Sequence, residues 1–242
     1  MKKSFQAFEK ISWFPGHMHV ACQKLKDSLR DIDIFIEVRD ARLPYSTLNF
    51  EVDDMIKAAC KHKIVIFNKY DLCHHQVTLK AIHNLREVGL KGFAVSAINR
   101  INLSKIIEIS REMIPPKHEK SVGSWMMIGG MPNVGKSTII NKLRLQAPKI
   151  KGKYATKTSK SPAETRIVHG FKVSTDPNAW LMDTPGIMLP SIQEGELGVK
   201  LGLIGCINDK IIGKPVLVDY LFDCMMKYKV HDFVKFYNLR GM

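Results

Sequence analysis

The chain has 242 residues, 45% of them apolar and 25% charged, enough for one or two ordinary domains with a proper core. Lys and Arg number 37 against 23 Asp and Glu, and the net charge of +14 points to a polyanionic partner: nucleic acid, a nucleotide or an acidic membrane surface. Five cysteines without a C-x-x-C pair argue against a disulfide scaffold or zinc ribbon, and the longest uncharged run, Ser121 to Gly135, is too short and too broken by Gly and Pro to span a bilayer.

The first residues, MKKSFQAFEKIS, carry lysines but no continuous apolar stretch, so a secretory signal is not expected and a short basic import segment is a weak match. Ile32 to Val38 reads as a buried strand, followed by Arg-Asp-Ala-Arg. Thr47 to Cys60 has helical spacing. Lys63 to Phe67 is β-branched at its centre and reads as a buried parallel strand. A helix is expected over Gln76–Val88, with Gly89 as its stop, then a strand over Gly92–Val95. A helix over Asn102–Met113 ends at Pro115-Pro116. The strand Trp125–Ile128 runs into Gly129-Gly130 and is followed by a helix over Lys136–Leu145. Strands are expected over Ile167–Val173 and Trp180–Met182. Beyond Pro190 the pattern is helical: Leu197–Ile207, Val216–Met226 and Val230–Tyr237.

Strands alternate with helices through residue 189, which predicts an α/β fold: a mostly parallel sheet with helices on both faces. Residues 190–242 are expected to form a small helical appendage. The excess charge is densest in the middle. Residues 1–123 carry +6, 124–189 carry +7 and 190–242 carry +1. Lys142, Arg144, Lys149, Lys151, Lys153, Lys157 and Lys160 form an acid-free run, either a solvated face or a phosphate-binding surface.

Gly130-Met131-Pro132-Asn133-Val134-Gly135-Lys136-Ser137 matches G-x-x-x-x-G-K-[ST] between an expected strand and an expected helix. Glycines let backbone N–H groups turn inward around an anion, and the helix N-terminus adds its dipole. Lys136 would reach the β- and γ-phosphates, and Ser137 would hold Mg2+. Asn133, Val134, Gly135, Lys136, Ser137 and Thr138 are therefore candidate nucleotide contacts.

The base is read elsewhere. Asn68-Lys69-Tyr70-Asp71 follows a strand, at the end where open parallel sheets take ligands. The two oxygens of Asp71 match the adjacent N1–H and amino group of guanine, whereas adenine offers no such pair. Asn68 would tie this loop to its neighbours, and the Lys69 stem would cover the base. Ser96-Ala97, after the next strand, would supply a backbone N–H for the guanine oxygen. GTP or GDP is the expected ligand, and a P-loop ATPase or kinase is disfavoured by Asp71.

Asp183-Thr184-Pro185-Gly186 follows a strand. Asp183 is a candidate magnesium holder, and Gly186 a donor to the γ-phosphate. Thr165, in Pro162-Ala163-Glu164-Thr165, is either the second magnesium-binding hydroxyl on a switch segment or an ordinary strand-entry threonine. The usual order of these motifs is reversed: the base loops precede the phosphate loop. Circular permutation costs little, because strand ends assemble the site in space. The segment after DTPG then leads straight into the C-terminal helices.

Trp13-Phe14-Pro15-Gly16-His17-Met18, Asp40-Ala41-Arg42-Leu43-Pro44, NKYD, GMPNVGKS and DTPGI occur in this order. Over roughly residues 13–240 the chain resembles the circularly permuted YlqF-type GTPases, and most their mitochondrial ribosome-associated GTPase 1 branch. The resemblance implies a switch that binds GTP and Mg2+, hydrolyses GTP slowly and matures the large ribosomal subunit through its rRNA. It implies mitochondrial action on the matrix side of the inner membrane, with peripheral membrane association; a bacterial-type cytoplasm is the fallback. No transmembrane segment and a monomer are expected. Three features depart from the family pattern: His19-Val20-Ala21 lacks its lysine, Ala163 replaces a glycine, and the chain stops soon after the third C-terminal helical segment.

Ras-like enzymes orient water with a glutamine just after DxxG. Here that residue is Ile187, so slow intrinsic turnover is expected. The resemblance implies His17 as the substitute that approaches the water on the ribosome; the alternative is that His17 packs the N-terminal segment. Asn133 resembles the residue that ligates K+ in potassium-activated GTPases. Arg39 and Arg42 are candidates for RNA or phosphate contact, or for ion pairs within the fold. Cys73-His74-His75 reads as solvated surface. An rRNA-binding scaffold with a structural nucleotide is the competing functional reading.

Overall fold

The computed structural model describes residues 11–12, 23, 25–114, 123–146, 169–175, 178–184, 191–192 and 195–238. Residues Ser12–Ser191 form one compact unit, and Ile192–Met242 with Met1–Ile11 form another.

The larger unit is built on six strands: β1 (Ile34–Asp40), β2 (His62–Asn68), β3 (Lys91–Ala94), β4 (Ser124–Gly130), β5 (His169–Thr175) and β6 (Asn178–Asp183). Their spatial order is β3-β2-β1-β4-β6-β5. All neighbours pair in parallel except β5 and β6, which are antiparallel. Only residues 176 and 177 separate that pair, too few for a crossover, so the chain must return as a hairpin.

Helices α1 (Phe50–Ala58), α2 (His75–Glu87), α3 (Ser104–Met113) and α4 (Lys136–Gln146) connect the strands. Phe35 and Met127 on one face pack with Val52 and Ile56 of α1. Val65 and Phe67 on that face pack with Ala81, Ile82 and Leu85 of α2. The alternate residues Ile34, Ile36, Ile64, Ile66, Met126 and Ile128 are also fully buried, so both faces are covered. The guanidinium of Arg144 on α4 lies 4.8 Å from the ring of Phe171 on β5, within the second face. Strands buried on both faces explain the near-continuous apolar runs.

Element boundaries depart from expectation at several places: the helix expected over Leu197–Ile207 runs Gly195–Leu203, that over Thr47–Cys60 runs Phe50–Ala58, and β1 is shifted two residues onward. The apolar run ends at Val38, but the strand continues through Arg39 and Asp40 with all seven residues buried. Glu37 makes this possible by accepting from Arg39 Nε at 3.0 Å and Nη2 at 2.8 Å. Lys63 Nζ, 2.7 Å from Glu37, adds a second cation from the neighbouring strand. Arg39 is thus an internal ion-pair residue, and its candidacy for RNA contact falls.

The second unit is helical: α5 (Gly195–Leu203), α6 (Asp209–Ile212), α7 (Lys214–Lys227) and α8 (Asp232–Phe236). Tyr220 of α7 donates to Glu196 of α5 at 2.8 Å. The short α6 is capped by Asn208, whose side chain accepts from the Lys210 N–H; the sequence reading has no helix there. Among the described residues, no helix is long and apolar enough to cross a membrane.

Candidate functional site

Three loops meet at the carboxyl ends of β2, β3 and β4. The sheet order explains this: β1 lies between β2 and β4, and all three run in parallel. The phosphate loop leaves β4 and enters α4. Gly130 has φ +142°, and a Cβ there would sit 2.3 Å from the Val38 carbonyl oxygen. Gly135 has φ +101°, and its Cβ would lie 2.2 Å from Asn68 Nδ2. Neither position has room for a side chain, so both glycines of the motif are required by the backbone. Asn133 also takes a left-handed conformation, φ +57°.

Lys136, at the start of α4, is buried and folds into the loop. Its Nζ donates to the Gly130 carbonyl at 3.1 Å and to the Met131 carbonyl at 2.8 Å. An ammonium inside a turn of backbone, at a helix N-terminus, is suited to a phosphate chain. Val134, Gly135, Ser137 and Thr138 complete this loop and the first turn of α4.

The base loop is locked to the phosphate loop. Asn68 Nδ2 donates to the Val134 carbonyl at 2.8 Å, and Asn68 Oδ1 accepts from the Ala97 N–H at 3.1 Å. One buried amide therefore clamps three loops. The Ala97 N–H, from the loop expected to meet a guanine oxygen, is given to Asn68 in this structure. Ser96 is buried, and its hydroxyl accepts from the Asn99 N–H at 3.3 Å.

Lys69 makes a second tie. Its backbone is left-handed, φ +62°, and its Nζ donates to the Asn133 carbonyl at 2.7 Å. The same Nζ lies 2.9 Å from Asp40 Oδ2. Asp40 is fully buried and also receives both Nε and Nη2 of Arg42, at 2.9 and 2.7 Å. Burial alone would raise the Asp40 carboxyl, but hydrogen bonding by Arg42 and the charge of Lys69 outweigh it and hold it below the ordinary carboxylate value. Thr47 supports the turn by accepting from the Asp40 N–H at 3.1 Å and donating to the Leu43 carbonyl at 2.8 Å. Asp71 follows in a single 3-10 turn, Tyr70–Leu72, and is exposed to solvent. A carboxylate left at the surface beside these clamped loops is available to a ligand.

At the end of β6, Asp183 is buried and its Oδ2 accepts from the Ser137 hydroxyl at 3.2 Å. The neighbouring Thr184 hydroxyl donates to the Ile128 carbonyl at 2.8 Å, fixing the strand end to β4. A hydroxyl and a carboxylate are hard oxygen donors, and this pair fits Mg2+ better than a soft metal. His17, Thr165, Gly186 and Ile187 lie outside the described residues, as does most of the basic run; Arg144 of that run packs on Phe171.

The structure thus ties Asn68 and Lys69 to Val134 and Asn133, Ala97 to Asn68, and Ser137 to Asp183, with Asp71 two residues beyond Lys69 and Ser96 next to Ala97. Sequence reasoning gave no role to Asp40 and Thr47. The available signal was an acid at the end of a strand buried on both sides, where only a paired carboxylate is tolerated.

The family model described as "50S ribosome-binding GTPase" matches residues 126–214. Mitochondrial ribosome-associated GTPase 1 of Xenopus tropicalis is 32% identical, across 99% of this chain and 78% of that protein. Ribosome biogenesis GTPase A of Priestia megaterium is 32% identical, across 95% of this chain and 78% of that protein. Among solved structures, GNP-bound YlqF from T. maritima shares the fold with a TM-score of 0.59 at 23% identity, covering 92% of this chain and 78% of that one. Its GDP-bound form gives 0.53 at 26% identity, covering 80% and 72%. With base loops ahead of the phosphate loop, and with relatives matched over most of their length, the chain belongs to the circularly permuted GTPase family of mitochondrial ribosome-associated GTPase 1 and ribosome biogenesis GTPase A.

Proposed function

We propose that this chain is a GTP-binding and GTP-hydrolysing switch in assembly of the large ribosomal subunit. The observation that carries the reading is the clamp of Asn68 on Val134 and Ala97, which holds a guanine-reading loop against a phosphate loop. Lys136 serves the phosphates, Asp71 the base, and Ser137 with Asp183 a magnesium ion. Mg2+ supplies charge neutralisation on the β- and γ-oxygens. Asn133 is assigned a monovalent K+, and Thr165, Gly186 and His17 the switch and water-positioning roles. Residues 1–189 act as the nucleotide domain, and 190–242 as its helical appendage.

The ribosome is inferred from the relatives, which are ribosome-associated and ribosome biogenesis GTPases. Their mitochondrial names support action in the mitochondrion, with the matrix as the compartment that holds a large subunit. Ile187 supports slow intrinsic hydrolysis, because its side chain cannot orient water.

Single-turnover GTP hydrolysis with and without purified mitochondrial large subunits tests the proposal. Subunits are expected to accelerate the reaction about tenfold or more, equal to about 1.4 kcal/mol of barrier. Binding of subunits with no acceleration would instead support an RNA-binding scaffold with a structural nucleotide.

A further inference from the structure

A second basic site lies at the opposite end of the sheet from the nucleotide loops. The strands run in parallel, so His62 begins β2 and Lys91 begins β3, whereas Asn68 and Ala94 end them near the nucleotide. Seven residues of strand separate the two ends of β2, roughly 20 Å. A cavity of about 320 Å³ opens there, lined by Lys57, Lys61, His62, Lys63 and Lys91, with Asp53 the sole carboxylate of the lining among the described residues.

The ion pairs show which charges are spent. Lys63 is buried and engages both Glu37 and Asp53, while Lys57 lies 2.9 Å from Asp53. Asp53 thus serves two cations. Its carboxyl, which burial alone would raise, is held below the ordinary value by the hydrogen bonds and charges of Lys63 and Lys57. Lys91 meets Glu112 at 2.9 Å, but both side chains are well exposed, so water screens that pair. Lys61 spends a hydrogen bond on the neutral Arg30 carbonyl at 3.2 Å and has no ion pair among the described residues. With Asp53 shared by Lys57 and Lys63, Lys91 held only by a water-screened pair and Lys61 on a neutral carbonyl, the lining keeps a positive surplus. The floor at Gly89 is open: a Cβ there would meet nothing within 4 Å.

We infer that this cavity is an anion site that takes a phosphate group, separate from the nucleotide loops. Flexible, partly exposed lysines provide point charges suited to phosphate oxygens rather than a fixed fork for one planar ligand. A polynucleotide backbone and a small free phosphate share this chemistry. The inference does not rest on the GTPase reading, because the cavity lies at the strand ends opposite the nucleotide loops.

Two measurements on the full chain separate the sources. Inorganic phosphate is titrated at constant ionic strength while the amide resonances of Gly89 and Leu90 are followed. A fluorescent single-stranded RNA is titrated over a range of salt against wild type, against the exposed-lysine double variant Lys61→Gln/Lys91→Gln, and against a charge-matched control, Lys80→Gln/Lys105→Gln. The same spectra report that each variant is folded. For an RNA backbone, the cavity variant is expected to lose affinity and its log–log salt slope to fall by about 1.4, the loss expected from two single-strand phosphate contacts, while the control changes less. Saturable shifts at Gly89 and Leu90 with phosphate, but equal RNA binding by the two double variants, would identify a small phosphate as the ligand. The inference is overturned if phosphate leaves both amides unmoved and both variants bind RNA alike.

Discussion

Asn68 Nδ2 donates to the carbonyl of Val134 at 2.8 Å, a bond that spans 66 positions of sequence. It joins the residue that opens N-K-x-D to the middle of the phosphate loop. Because the other end of the same amide accepts from Ala97, the side chain fixes the spacing between the base end and the phosphate end of the site. In a permuted chain these loops lie in the reverse of the usual order, yet parallel pairing of β2, β1 and β4 returns them to one edge.

Replacement Asn68→Ala removes both bonds and leaves the buried Val134 carbonyl and Ala97 N–H without this partner. Each such group costs about 1–3 kcal/mol, so stability should drop by about 2–6 kcal/mol. Urea unfolding of the free protein measures it. GTP affinity should fall as well, and a variant as stable as wild type would remove the clamp from the description.

Asp40 is expected to couple folding to pH. Its folded pKa is depressed, so the unfolded chain takes up the proton first as pH falls. The stability it contributes is complete above the ordinary carboxylate value of about 4 and is lost as pH drops through the lower folded value. Asp40→Asn should cost about 3 kcal/mol at neutral pH by leaving Lys69 and Arg42 without their carboxylate. The difference from wild type should shrink in acid, and denaturant unfolding at neutral pH and near pH 3 checks the trend. A difference that stays constant over this range would show that Asp40 is not ionised in the fold.

Ser137→Ala should abolish the magnesium-dependent part of GTP affinity while leaving magnesium-free binding nearly intact. The hydroxyl donates to Asp183 Oδ2 at 3.2 Å, the pair assigned to the metal. Nucleotide titrations with and without Mg2+ provide the measurement, and an unchanged magnesium response would take Ser137 out of the metal site.

The sheet was largely legible in the residues. Strands such as KIVIF are apolar on both faces, and the glycines and lysine of the phosphate loop have a single physical use at that spacing. The Asp40 system was not legible. Its partners Arg42, Lys69 and Thr47 come from different segments, and only the parallel pairing of β1 with β2 brings Asp40 opposite Asn68. Ala97 shows the same limit: motif spacing identifies its loop, but the direction of one N–H depends on where the Asn68 side chain lies. The antiparallel β5–β6 hairpin is likewise set by the length of its connection rather than by strand composition.

The identity of the base is the point on which the function turns, and Asp71 is the residue proposed to read it. Equilibrium competition between GTP and xanthosine triphosphate on wild type and on Asp71→Asn tests it most directly. Wild type should prefer GTP, and the variant should lose about 100-fold in GTP affinity and prefer the xanthosine nucleotide, because the amide can donate where the carboxylate could only accept. GTP affinity unchanged by the substitution, with xanthosine triphosphate still rejected, would contradict the assignment of Asp71 to guanine.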